Sequence, residues 1–117
     1  METMEIRLIG GVVEFIFGPS QRIVFNDEGQ PGLEVGRDKK SRKVVAFMCL
    51  HMPNLYHRIL AGLKEKPILE KFSVTSVDEG DKTTAVCDPR VKNTNMADIV
   101  QWVWESYYSP HLQRAAA

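Results

Sequence analysis

The chain lacks most features that would mark a secreted, membrane-embedded or nucleic-acid-coating protein. Cysteine occurs twice, at Cys49 and Cys87, too seldom for the disulfide framework of a small secreted domain. The two are read as reduced thiols, which points to a cytoplasmic protein. Long apolar runs are also missing. The longest, Val44 to Leu50, falls far short of the ~20 residues of a membrane span, so no membrane association is expected. The opening Met1-Glu2-Thr3-Met4-Glu5 is acidic and has no basic n-region of a secretion signal. Charge of one sign is not in excess either: 15 basic residues balance 15 acidic ones. A dedicated binder of bare nucleic acid carries a global basic surplus, so nucleic acid is a disfavoured partner. No glycine-rich turn opens a helix, because Gly10-Gly11 lies between two strand patterns. A helix-capping phosphate cradle is therefore excluded there.

What is present suits one ordinary core. With 117 residues, 44% hydrophobic and 26% charged, the chain has the composition of a single globular domain. Residues 1–110 are read as that domain and 111–117 as a frayed C-terminal tail.

The first third reads as a β-meander. A two-residue turn at Gly10-Gly11 sets Ile9 against Val12, Leu8 against Val13, Arg7 against Glu14 and Ile6 against Phe15. One face then carries Met4, Ile6, Leu8, Val13, Phe15 and Phe17, and the other an Arg7–Glu14 cross-strand pair. A turn around Pro19-Ser20-Gln21 extends the meander and pairs Phe17 with Ile23 and Phe15 with Phe25. Leu33-Glu34-Val35 is a short strand candidate, and Gly36 to Ser41 a charged connection.

Val44 to Leu50 is apolar on both parities, as a strand buried on both faces would be. From Pro53, the three-and-four spacing of Leu55, Tyr56, Ile59, Leu60 and Leu63 predicts an amphipathic helix that Lys66-Pro67 ends. Phe72 to Val77 and Lys82 to Cys87 form a hairpin around Asp78-Glu79-Gly80-Asp81, with Phe72 facing Cys87 and Val74 facing Ala85. Asn95 caps a last helix that runs to about Ser109, where Pro110 stops it. The expected class is α+β: a single mostly antiparallel sheet, made of the N-terminal β-meander and the later hairpin, with two helices packed against it.

The last helix carries the strongest functional signal. Met96, Ile99, Val100, Val103 and Tyr107 share one narrow face. Trp104 lies to one side of it, Tyr108 further round, and Trp102 on the opposite side, so a single sheet cannot bury all three. Trp102, Trp104 and Tyr108 are the interface candidates, since Trp and Tyr supply large contact area at low entropic cost. A second group is the basic loop: Arg37, Lys39, Lys40, Arg42 and Lys43 could contact phosphate or an acidic partner, although a solvated loop that guards the following strand explains them as well. Cys49, His51 and His57 are near in sequence, but the spacing gives neither a CxxC pair nor an HExxH pair, so no metal and no cofactor is expected. Cys87-Asp88 occupies a strand end, yet a reactive thiol needs a base or an electropositive setting, and the inferred hairpin packs Cys87 against Phe72. No motif specifies a reaction. The expected function is a small non-enzymatic interaction or regulatory protein, with a protein partner or a second copy of itself on the aromatic C-terminal helix. The alternatives are an enzyme or ligand-binding domain with a cleft lined by Cys87, His51 and His57, and a nucleic-acid binder acting through residues 37–43.

Overall fold

The computed structural model describes residues 2–110. The tail expected at 111–117 lies outside the described residues. Seven strands and two helices follow in the order β1 (Glu2–Ile9), β2 (Val12–Ile16), β3 (Ile23–Asp27), β4 (Leu33–Asp38), β5 (Val44–Cys49), α1 (Met52–Glu65), β6 (Phe72–Asp78), β7 (Thr83–Ala85) and α2 (Met96–Val103). A 3-10 turn at Pro89–Val91 precedes α2, and a π-helical turn at Trp104–Tyr108 follows it. All strands join one mixed sheet in the order β3-β4-β5-β2-β1-β6-β7. Neighbours are antiparallel except β1 and β6, which the crossover through α1 brings side by side in parallel. The fold is the expected α+β class.

The opening hairpin has the register its glycines impose, with Ile9 opposite Val12, Arg7 opposite Glu14 and Ile6 opposite Phe15. Gly10 takes φ +60, a conformation that favours glycine. Met4, Ile6, Val13 and Phe15 are fully buried while Arg7 is exposed. Leu33, Val35, Phe47, Cys49, Phe72, Val74 and Val77 continue that face. Met52, Tyr56, Ile59 and Leu63 of α1 and Met96, Ile99, Val100 and Val103 of α2 close over it in one buried cluster.

The meander stops after two strands, so the expected Phe17–Ile23 and Phe15–Phe25 pairings are not formed. Phe15 lies opposite Phe47, and the amides of Phe17 and Gly18 donate to the Val45 carbonyl at 2.9 and 3.0 Å. The reason is burial. β5 is apolar on both faces and gains most from an interior position between β2 and β4, which displaces β3 to the sheet edge. Close approach of Gly18 helps: a Cβ there would stand 2.6 Å from Val45 Cγ1. The segment expected as a charged connection supplies the last residues of β4, which extends through Gly36 and Arg37 to Asp38.

The second hairpin also differs from expectation. Ala85 faces Ser76, not Val74. The turn centres on Gly80 and Asp81, closed by the Glu79 amide on the Lys82 carbonyl (2.9 Å) and by the Gly80 amide on Asp78 Oδ1 (2.8 Å). Phe72 pairs instead with Thr94, each amide donating to the other's carbonyl at 2.8 and 3.1 Å. Cys87 is therefore exposed and does not pack on Phe72. Asn95 does cap α2, its side chain accepting from the Asp98 amide at 3.0 Å. α-Helical geometry ends at Val103, earlier than expected, and the π turn carries the helix on toward Pro110.

Candidate functional site

Three elements meet at one end of the sheet. The Gly10-Gly11 turn touches the start of α1, where the Met52 amide donates to the Gly11 carbonyl at 2.8 Å. His51 caps that helix through its backbone in a left-handed conformation (φ 52, ψ 48) and without a side-chain hydrogen bond. Its carbonyl accepts from the amides of Asn54 and Leu55 at 3.0 and 2.9 Å. The π turn arrives from the other side, and Tyr108 Oη donates to the Gly10 carbonyl at 3.0 Å.

A stack of aromatic rings fills the junction. Trp104 lies parallel to Tyr56 of α1, with centroids 4.3 Å apart and planes 2° from parallel. Tyr108 stacks on the Trp104 side at 6.0 Å and 14°. His57 leans on both Tyr56 (5.0 Å) and Trp104 (6.2 Å). The π turn carries both Trp104 and Tyr108. In an α-helix, four residues at about 100° each carry a side chain past its starting line. The Ser109 amide bonds to the Trp104 carbonyl five residues back, so the step from Trp104 to Tyr108 is underwound relative to an α-helix. Tyr56 is buried, Trp104 and Tyr108 are half-buried, and His57 is exposed. Burial pushes the Tyr108 hydroxyl up to about 12, with Cys49 adding to the effect. Burial and the nearby Glu105 carboxylate likewise raise Tyr56.

Of the three interface candidates, Trp104 and Tyr108 stand together and Trp102 does not join them. Trp102 is 8% exposed and belongs to the core. It meets Tyr107 edge-on at 5.7 Å, and its indole lies close enough to Asp88 to help lower that carboxyl without reaching hydrogen-bond geometry. Tyr56 and Gly10 are the members that sequence reasoning missed. Tyr56 was legible only as one apolar position in a helical stripe.

The cleft residues are dispersed. Cys49 is buried and its thiol pushed up to about 12 by desolvation. Cys87 follows β7 near Thr75, whose carbonyl accepts from the Val86 amide at 3.1 Å. That position is level with Met4, whereas His51 lies beside Gly11; six residues along β1 at ~3.4 Å each put Cys87 and His51 roughly 20 Å apart, and His57 stands on α1 against Tyr56 and Trp104. Asp88 faces Arg90 (2.6 Å), not a histidine, and is held at about 2 mainly by that pair. Among the described residues, no three His, Cys, Asp or Glu side chains gather to hold a metal ion, and no helix is long and apolar enough to cross a membrane.

The basic residues split as well. Arg37 is engaged with Glu28 at 2.7 and 2.8 Å and with the Arg42 carbonyl at 2.9 Å. Lys39, Lys40, Arg42 and Lys43 are exposed. Asp38 organises this turn: it accepts from Ser20 Oγ (2.6 Å) and from the Ser41 and Lys40 amides, and these bonds hold its carboxyl at about 2. Comparison with family profiles, curated proteins and solved structures finds no match to this chain.

Proposed function

We propose that this domain is a protein-interaction module whose partner docks on the end where His57, Trp104 and Tyr108 come together. The stack of Tyr56, Trp104 and Tyr108 carries this reading, because it is clamped by the Tyr108–Gly10 hydrogen bond and only partly covered. Rings already immobilised in a stack lose little further freedom when a partner covers them, and Trp and Tyr dominate binding energy at interfaces. Exposed His57 offers ring nitrogens for a polar contact beside the apolar surface.

A partner recovered by cross-linking to the native chain would be titrated against purified variants. His57→Glu and Trp104→Ala are expected to weaken its binding about tenfold or more. Leu69→Glu, at a 71% exposed site beyond the C-terminal end of α1, leaves it unchanged. Full affinity in the first two variants, or loss in the third, would place the docking surface elsewhere.

A further inference from the structure

β3 forms one edge of the sheet. The Lys39 amide donates to the Arg22 carbonyl at 3.0 Å, which fixes the phase of the β3–β4 ladder. Arg22, Val24 and Asn26 direct their backbone groups toward β4. Ile23, Phe25 and Asp27 therefore turn their N–H and C=O groups outward from the sheet. Natural edges are blunted by lysine, proline, a bulge or shortness. β3 reads Ile-Val-Phe-Asn-Asp, pairs with β4 in unbroken register and exposes Val24 by 40%. At the opposite edge, β7 is only Thr83–Ala85.

This edge is complementary to itself. When two copies pair antiparallel about a two-fold axis through the sheet, opposed residues lie on the same face, so their numbers differ by an even amount. One such register sets Ile23 against Phe25 of the second copy and Val24 against its own counterpart, so that every apolar residue of the strand meets another. Ile23 and Phe25 already lean over Gly36 beside Ala46 on the face away from the helices. The joint would thus continue an apolar layer from one copy to the next.

Charge supports the same arrangement. Beyond the strand, the exposed Asp27 of each copy reaches Gln21 of the other, and Glu28, already paired with Arg37, reaches Ser20. Gln21 and Ser20, with Arg22, Lys39 and Lys40, line a surface depression of about 1090 Å³. Arg22, Lys39 and Lys40 are exposed, and no ion pair among the described residues engages them. Asp38, the acidic residue in that wall, is occupied by Ser20 and the Ser41 amide. The Asp27 carboxylate thus approaches a basic depression, twice by symmetry.

We propose that β3 is a self-pairing edge through which two copies of this chain form one continuous sheet, an interface separate from the aromatic docking end. Sedimentation velocity of the full chain from micromolar to submillimolar concentration would show a shift toward twice the chain mass, weakened by added salt. Val24→Lys and Val24→Glu each place like charges across the axis and are expected to weaken association about tenfold or more. An equimolar mixture of the two restores it as a heterodimer, while His57→Glu leaves it intact. In the native chain, exchange of the Ile23 and Phe25 amides slows as concentration rises. A chain mass at every concentration overturns the proposal. So does self-association that survives both Val24 variants, or that is lost in His57→Glu with the two edge amides exchanging at one rate throughout.

Discussion

Replacing Tyr108 with phenylalanine tests whether the π turn is pinned by one hydrogen bond. The change keeps the ring and its stacking on Trp104 (6.0 Å) and removes only the donor to the Gly10 carbonyl (3.0 Å). A neutral hydrogen bond contributes about 0.5–1.5 kcal/mol net, and water can reach the exposed Gly10 carbonyl in the variant, so the loss near neutral pH should be about 0.5–1 kcal/mol. A second readout reports the burial of the hydroxyl. The folded-state hydroxyl sits at about 12, above its ordinary value of 10.0, so the folded chain holds its proton more tightly than the unfolded one. Its stabilisation is complete below the unfolded value and is lost as pH rises through the folded one. A displacement of that size corresponds to ~2.7 kcal/mol at most, and solvent screening of a half-buried ring reduces it to about 1 kcal/mol. Urea titrations of both proteins across the alkaline range measure the difference. Tyr56 and Tyr107, also raised by burial, contribute to both curves and cancel. Equal stability of the two proteins near neutral pH would refute the pinning, and superimposable alkaline limbs would refute the burial of the hydroxyl.

Gly36→Ala should destabilise the domain by about 1–3 kcal/mol through overpacking, since its Cβ would stand 2.7 Å from Phe25 Cε1, 2.8 Å from Ile23 Cγ2 and 3.0 Å from Ala46 Cβ; chemical denaturation reads the loss, and Phe25→Leu in the same chain should recover part of it. Asn95→Ala removes the acceptor of the Asp98 amide and should lower stability by ~1 kcal/mol, with faster exchange of that amide. A thiol reagent should label the native chain once, at exposed Cys87, and reach buried Cys49 only on unfolding; two labels on the folded protein would contradict the packing of β5. Asp38 is held at about 2 by Ser20 and Ser41, so its stabilisation is present above the ordinary carboxylate range and lost as pH falls through about 2. Asp38→Asn should flatten that acid limb in a thermal-melt series.

The sequence determined the local structure and little beyond it. Gly10-Gly11 set both the turn and the register of the first hairpin, because a slip by one residue would carry Arg7 into the core. The three-and-four spacing in α1 and the Asn95 cap were equally local, and both elements form where those signals place them. Strand order was not local. Phe15 could be served by Phe25 or by Phe47 on chemistry alone, and only competition for the interior gave Phe47 the place and sent β3 to the edge. The same holds at Cys87, which moved to the surface once Phe72 was paired with Thr94. The aromatic stack needed the whole fold. Tyr56, Trp104 and Gly10 come from separate elements, and the π turn that carries Tyr108 has no periodicity a sequence can display, because it is tertiary packing that selects the wider turn.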